Sequence, residues 1–340
     1  MRTSEGGMHR AARIEDAVHA RIERHLFARG WKPAVTAYTG YGAPGWVRVM
    51  ARVLLTRPDL RVRPPRAESV RGWRSFTSSP VTDAEVTLDA GGRRHVVRTD
   101  RSGYVDAVVA SGLPVGWGEV TVEAVGAKPV AAPVNVVGPQ VQFGVISDVD
   151  DTVMVTSLPR PMLAAWNTFV LNEHARAPVP GMAVLYERLV TAHPEAPVFY
   201  LSTGAWNVAP TLTRFLGRHL YPPGPLLLTD WGPTRDGWFR NGRAHKRASL
   251  ARLVRELPQV RWLLIGDDGQ HDPELYADFA ASHPQNVVGV AIRHLSATEQ
   301  VLASGLPVPA DSGPRASNVP WVSAPDGAAL SARLREVGLL

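Results

Sequence analysis

Three short apolar runs, each stopping abruptly at polar residues that can carry chemistry, limit what this chain can fold into more than any other feature. Val141-Gln-Phe-Gly-Val-Ile-Ser leads into Asp148-Val149-Asp150-Asp151-Thr152, and Ala196-Pro-Val-Phe-Tyr-Leu201 leads into Ser202-Thr203-Gly204. Val260-Arg-Trp-Leu-Leu-Ile265 leads into Gly266-Asp267-Asp268-Gly269, with Asp272 just beyond. Short apolar runs bounded by polar residues read as buried strands. Between the second and third, Ala248, Leu250, Ala251, Leu253 and Val254 follow Lys246 with helical spacing, so the pattern alternates strand and helix. Such alternation builds a parallel sheet, and open sheets of that kind bind ligands outside the carboxyl ends of their strands. All three runs therefore deliver their polar ends to one place. Taken alone, the first could equally be an acidic turn that caps a helix through Asp151 or Thr152.

The ordered set of Asp148-x-Asp150-x-Thr152, a strand-end Ser202, Lys246 and Gly266-Asp267 resembles the haloacid-dehalogenase-type phosphatase superfamily. The flanking words from Ser147 to Thr152, Phe199 to Ser202 with Trp206 after, and Leu263 to Tyr276 look more specifically like the catalytic domain of the actin-patch-type phosphatidate phosphatases and their bacterial relatives. Gly204-Ala205-Trp206 stands where that family pattern has a small-Pro-Trp tract. The resemblance covers roughly residues 141 to 295. It implies a Rossmann-like α/β fold with helices on both faces and little or no cap. The implied activity is Mg²⁺-dependent hydrolysis of a phosphomonoester, with phosphatidate as substrate and diacylglycerol as product.

The chemistry accounts for those residue types. Phosphoryl transfer demands an in-line attacker and neutralised phosphate oxygens. Asp148 would attack phosphorus to give an aspartyl-phosphate, and Asp150 would protonate the leaving alkoxide and later activate water. Mg²⁺ needs only one or two carboxylates besides the substrate phosphate. Asp148 and Asp267 are the expected side-chain ligands, with the Asp150 carbonyl as a third. Ser202 would donate to a phosphate oxygen, and Lys246 would supply a point charge. Thr152, Thr203, Asp268 and Asp272 are further candidates around this set. Lysine occurs only at Lys32, Lys128 and Lys246, so 34 of the 37 basic residues are arginine. A lysine kept against that bias suits a cramped phosphate site that a planar guanidinium would not fit.

The chain has 340 residues, 45% of them hydrophobic and 20% charged. That is globular material for more than one domain. The absence of cysteine excludes disulfides, thiol nucleophiles and zinc-thiolate sites. Residues 1–32 should hold a basic amphipathic helix, with Ile14, Ala17, Val18, Ile22 and Leu26 on one face over 11 to 29. Packing on the neighbouring domain is favoured over lying on a membrane. From 33 to 138 the period changes to two, clearest in Val47, Val49, Ala51, Val53 and Leu55, with further strands expected at 84–89, 94–99, 104–109 and 118–125. This predicts a small all-β sandwich, joined by a crossing at Gly126 to Pro139 to a catalytic domain over 139–304. Residues 305–340 are expected as a tail with a short helix. Gly40-Tyr-Gly42-Ala-Pro-Gly45 matches a dinucleotide fingerprint, but an alternating strand follows where that motif needs a helix, so it reads as a loop between strands.

Short intervals at 153–180 and 205–245 leave little material for a lid. An open site suits a substrate whose bulk stays outside, because a small metabolite usually needs closure to exclude water. Trp231, Trp238 and Phe239 among Arg235, Arg240, Arg243 and Arg247, and a stripe of Met162, Leu163, Trp166, Phe169 and Val170, could face a membrane or fill the core. A net charge of +6 favours anionic partners: a phosphorylated lipid or anionic membrane surface before nucleic acid. No signal peptide or membrane span is evident, so a cytoplasmic protein, peripheral to a membrane at most, is expected. The alternatives are a phosphatase for soluble metabolites or nucleic-acid ends, and a catalytically silent membrane-binding adaptor. Oligomeric state has no signature in the sequence.

Overall fold

In a computed structural model of the chain, the described residues are 21–57, 79–155, 177–229, 242–269, 271–296, 299–300 and 319–340. They divide into two compact units, one ending at Val136 and the other starting at Val137.

The first unit is built from β1 (Lys32–Ala43), β2 (Trp46–Thr56), β3 (Ser79–Pro80), β4 (Glu85–Asp89), β5 (Arg94–Arg98), β6 (Tyr104–Ala110), β7 (Gly116–Ala124) and β8 (Val130–Val136). They form one sheet ordered β3-β2-β1-β8-β7-β4-β5, with β6 also paired to β2. Period-two patterning turns one face inward. Val47, Val49, Ala51, Val53 and Leu55 of β2 meet Val86 and Leu88 of β4, Val120 and Val122 of β7, and Val134 and Val136 of β8 in a single apolar cluster. Strands far apart in the sheet order share that cluster, so the sheet folds over it as a sandwich does. A helical segment at 21–28 precedes β1, and its Leu26 packs on the same cluster. The rest of the helix expected over 11–29 lies outside the described residues.

Two expectations for this region are corrected. The stretch from Gly126 to Pro139 is not simply a crossing, because its middle is β8, paired in parallel with β1 and antiparallel with β7. Proline and alanine hid a strand whose Ala132, Val134 and Val136 alternate inward. Likewise Gly40 and Gly42 lie inside β1 rather than in a loop. Each sits against the backbone of β2, at Arg48 and at Trp46–Val47, closely enough that a Cβ would collide. The glycines serve sheet pairing, and the hairpin turn is Pro44-Gly45.

The second unit runs β9 (Phe143–Asp148), α1 (Met182–Ala192), β10 (Val198–Ala205), a 3₁₀ turn at Trp206–Val208, α2 (Ala209–Arg218), β11 (Leu226–Thr229), α3 (Gly242–Glu256), β12 (Arg261–Asp267), α4 (Asp272–Ser282), β13 (Val287–Arg293), β14 (Trp321–Ala324) and α5 (Gly327–Glu336). The sheet order is β11-β10-β9-β12-β13-β14, and every neighbouring pair is parallel. The chain starts at β9 in the middle, steps outward to β11, crosses back to β12 and steps outward again. The order therefore reverses between β9 and β12, a topological switch point of the Rossmann type. Helices cover both faces. Ser147 and its register partner Ile265 share one face, where Ser147 hydrogen-bonds Tyr186 of α1. The neighbouring Gly266 faces the other way, against Asp272 and Tyr276 of α4. Parallel strands covered on both faces must be apolar throughout, which is why β11 is wholly buried and β12 is buried after its first residue.

Residues 319–340, expected within a tail, belong to this unit. β14 pairs with β13 through Val290↔Trp321 to Arg293↔Ala324, and α5 is tied to α1 by Arg188 Nη1 donating to Ser331 Oγ at 3.0 Å. Among the described residues no helix is long and apolar enough to cross a membrane. The stripe from Met162 to Val170 lies outside the described residues, as do Trp231 to Arg240 of the second membrane-facing candidate and most of the interval 153–180, whereas the interval 205–245 is described except at 230–241.

Candidate active site

Asp148 is the last residue of β9 and Asp267 the last of β12, so the switch point itself brings two carboxylates together. Asp272 opens α4, whose first turn comes back over the same strand ends. One carboxylate oxygen from each of Asp148, Asp267 and Asp272 lies within 4.8 Å of the other two. Lys246, one turn into α3, is the counter-charge. Its Nζ is 2.5 Å from Asp148 Oδ1 and 2.6 Å from Asp272 Oδ1. The approach of α4 depends on Gly266, where an added Cβ would sit 2.7 Å from Asp272 Oδ2 and 2.8 Å from the Tyr276 ring.

The turn after β9 supplies the remaining groups. Asp150 accepts a hydrogen bond from Ser202 Oγ at 3.0 Å, and Ser202 Oγ accepts one from the Gly204 backbone N–H at 3.0 Å. The hydroxyl expected to address a phosphate oxygen is thus directed to Asp150 in this structure. Thr152 Oγ1 donates to Asp267 Oδ2 at 3.3 Å, and the Gly269 N–H donates to Asp267 Oδ1 at 2.8 Å. Thr203 is exposed at the end of β10, and its carbonyl accepts from Thr229 Oγ1 at 2.9 Å. Asp268, despite being next to Asp267, is committed elsewhere: one oxygen lies 2.7 Å from His294 Nδ1 and the other accepts the Leu295 N–H at 2.8 Å. Arg243 and Arg247 form ion pairs with Glu274 and Asp278 of α4.

Charge balance at the site is lopsided. Burial pushes the Asp148 carboxyl well above the usual carboxylate range; Lys246 opposes this, and Asp272, Asp267 and Asp150 add to it. Asp267 is likewise raised, first by burial and then by Asp272, against Lys246 and the Gly269 N–H. Burial alone would pull Lys246 down, but Asp148 and Asp272 outweigh it and hold the ammonium above its ordinary value. Lys246 thus pairs with Asp148 and Asp272 and opposes the raised carboxyl of Asp267, while Asp150 adds negative charge beside Asp148. Asp148 Oδ2 and Asp272 Oδ2 are buried and have no hydrogen-bond partner among the described residues. Buried acceptors are almost always satisfied, and a hard divalent cation with oxygen ligands suits two such orphans beside a third carboxylate.

Two features of the site go beyond what the sequence marks. Asp272, one of several carboxylates around the motifs, is a full member of the cluster and the second partner of Lys246. Arg293 ends β13 and donates to the Asp151 carbonyl at 2.6 Å; its sign in the sequence is the one that marks the other strands, since the apolar run of β13 also stops at a polar residue.

Residues 143–294 match the family profile described as the catalytic domain of phosphatidate phosphatase APP1. The match and the site coincide. It takes in Asp148, Asp150, Ser202, Lys246, Asp267, Asp272 and Arg293. The chain is 26% identical over 164 residues to phosphatidate phosphatase APP1 of Saccharomyces cerevisiae, covering 47% of this chain and 27% of that protein. It is 28% identical over 152 residues to an uncharacterised protein of Schizosaccharomyces pombe, covering 44% of this chain and 25% of that one. The chain thus spans about a quarter of the length of these two relatives. Among solved structures, a carbohydrate acetylesterase from Xanthomonas citri is 9% identical and covers 88% of this chain and 72% of that one, with a TM-score of 0.27. That value carries no argument about fold or function.

Proposed function

We propose that this chain is a phosphoric monoester hydrolase of the haloacid-dehalogenase type, acting through an aspartyl-phosphate on Asp148, with Mg²⁺ as cofactor and phosphatidate as substrate. The observation that carries the reading is the convergence of Asp148, Asp267, Asp272 and Lys246 at the switch point of a parallel sheet. Similarity of the same residues to a phosphatidate phosphatase catalytic domain supports the substrate. Asp148, Asp267 and Asp272 would hold the metal, joined by the Asp150 carbonyl. When bound, Mg²⁺ supplies positive charge to the phosphate oxygens.

The protein's own groups carry the steps. Lys246 fixes one oxygen of Asp148 and so orients the carboxylate. Asp148 attacks phosphorus in line, its bond to phosphorus forming as the ester P–O bond breaks. Asp150, held by Ser202, gives its proton to the departing alkoxide and then takes one from the water that hydrolyses the acyl phosphate. Phosphate and diacylglycerol leave, and Asp148 is regenerated.

The direct test is Mg²⁺-dependent release of phosphate from phosphatidate in detergent micelles, run beside a panel of soluble phosphomonoesters, with trapping of acid-labile phosphate on Asp148. Preference for a soluble ester would move the substrate. Binding to anionic vesicles without any phosphate release would favour an adaptor instead.

Asp267→Ala should raise the Mg²⁺ concentration for half-maximal activity by at least about 10- to 100-fold, the cost of removing even an outer-shell partner of a metal ligand. An unchanged Mg²⁺ dependence would place the ligand elsewhere. Metal should also stabilise the fold, by about 2.7 kcal/mol at a hundred times its Kd. The sign of its pH dependence follows from the raised carboxyls of Asp148 and Asp267. The folded state keeps protons that the unfolded chain has already lost, so without metal stability falls as pH rises above the ordinary carboxylate range. Metal replaces those protons, and its stabilising effect should grow across the same window. Thermal melts in EDTA and in Mg²⁺ at several pH values measure this, and a pH-independent difference would contradict it.

A further inference from the structure

Arg293 closes β13 and is 5% exposed. Its guanidinium reaches three separate parts of the unit: Nη1 donates to the Asp151 carbonyl at 2.6 Å, Nη2 to Glu299 Oε1 at 2.7 Å, and Nε to the Pro325 carbonyl at 3.2 Å. Glu299 is itself fixed, because its other oxygen accepts the Ser296 N–H at 2.8 Å. The fork therefore pulls on the Asp151 peptide from an anchored position.

Asp151 is where the turn after β9 is most strained. Its φ is 55°, in the left-handed region that L-residues enter at a cost of about 1–3 kcal/mol unless their surroundings enforce it. It stands between Asp150, the acid and base of the proposed reaction, and Thr152, which donates to Asp267. Its own N–H donates to the Met154 carbonyl at 2.8 Å. With the N–H held on one side and the carbonyl on the other, the direction in which Asp150 leaves the backbone is set.

We propose that Arg293 is a positioning residue for the reaction: by holding the Asp151 carbonyl it keeps the turn in its left-handed conformation and aims Asp150 at the oxygen of the leaving group. This rests on the phosphatase reading and on the role of Asp150 within it. A lysine could not replace the fork, since a single ammonium cannot address acceptors spread over three elements in one plane.

A misaimed acid slows only those reactions that need its proton. The diacylglycerol of phosphatidate departs as an alkoxide and needs protonation; in the bridging phosphorothiolate analogue, with sulfur in place of the departing oxygen, it departs as a thiolate and does not. The experiment compares kcat/KM for both compounds in detergent micelles, with Mg²⁺, for the full-length wild type and the Arg293→Gln, Arg293→Lys, Asp150→Asn and Asp148→Asn proteins. Because the comparison is a ratio of two rates on one sample, partial misfolding cancels. Arg293→Gln should lose at least about tenfold more on the oxygen ester than on the sulfur analogue, in the direction of the larger selective loss of Asp150→Asn. Arg293→Lys should fall between Arg293→Gln and wild type. Equal losses on both compounds for Arg293→Gln, beside a selective Asp150→Asn, would overturn this inference alone. If wild type turns over neither compound, the phosphatidate reading fails, and if Asp148→Asn turns over both, the aspartyl-phosphate reading fails; in either case this inference goes with it.

Discussion

Asp148→Asn should reduce turnover by at least about a thousandfold, on the order of 4 kcal/mol of transition-state stabilisation, while the folded protein becomes no less stable in EDTA at neutral pH. Both halves come from one property of the site. The amide has nearly the shape of the carboxylate but cannot attack phosphorus. It also carries no charge, and burial of Asp148 together with Asp272, Asp267 and Asp150 makes that charge costly in the absence of metal. Lys246 keeps Asp272 as its partner at 2.6 Å, so the ammonium is not stranded. Active sites commonly trade stability for reactivity in this way. Circular dichroism melts in EDTA and phosphate release in Mg²⁺ measure the two effects separately. Residual activity above about one per cent, equivalent to roughly 2.7 kcal/mol, would remove Asp148 as the nucleophile. A marked loss of stability in EDTA would mean that its charge is needed to hold the fold.

How far the sequence discloses this molecule depends on the kind of burial involved. β9, β10 and β12 are covered on both faces, so their apolar runs are unbroken and end where the chemistry begins. β8 is also central, yet Pro133 at its middle and the small Ala131 and Ala132 before it disguise its alternation. β14 has only four residues, two of them buried, too few for any period to stand out. Within the site, strand ends located Asp148 and Asp267, but adjacency in sequence misleads about their neighbours. Asp268 follows Asp267 and turns to His294 and the Leu295 N–H. Asp272 is farther along the chain, but α4 starts there and Gly266 lets that helix close on β12. Which of two nearby carboxylates enters a site is decided by the element that begins between them, and that is a property of packing. Arg293 is a further case of the same kind: its strand is legible, but its target is the carbonyl of Asp151 on another loop.

Removing the ammonium should have the largest effect on the fold. Lys246→Met keeps most of the side-chain volume and leaves Asp148 Oδ1 and Asp272 Oδ1 without the cation that sits 2.5 Å and 2.6 Å from them. Breaking a buried ion pair by deleting one partner costs about 3–5 kcal/mol, because an uncompensated charge remains. Urea unfolding in EDTA at neutral pH should show a loss of that size. Asp272→Asn added to Lys246→Met should return part of it, with a coupling of more than about 1 kcal/mol between the two positions. Arginine should not substitute. Lys246 is 5% exposed, and a planar guanidinium is bulkier than the space a point charge occupies between two carboxylates, so Lys246→Arg should remain folded better than Lys246→Met yet lose at least about a hundredfold in turnover. A cost below about 1 kcal/mol for Lys246→Met would show that the carboxylates simply take up protons when the ammonium is gone. In that case the cluster would be held together by packing of its strands and helices, with the lysine reserved for the phosphate.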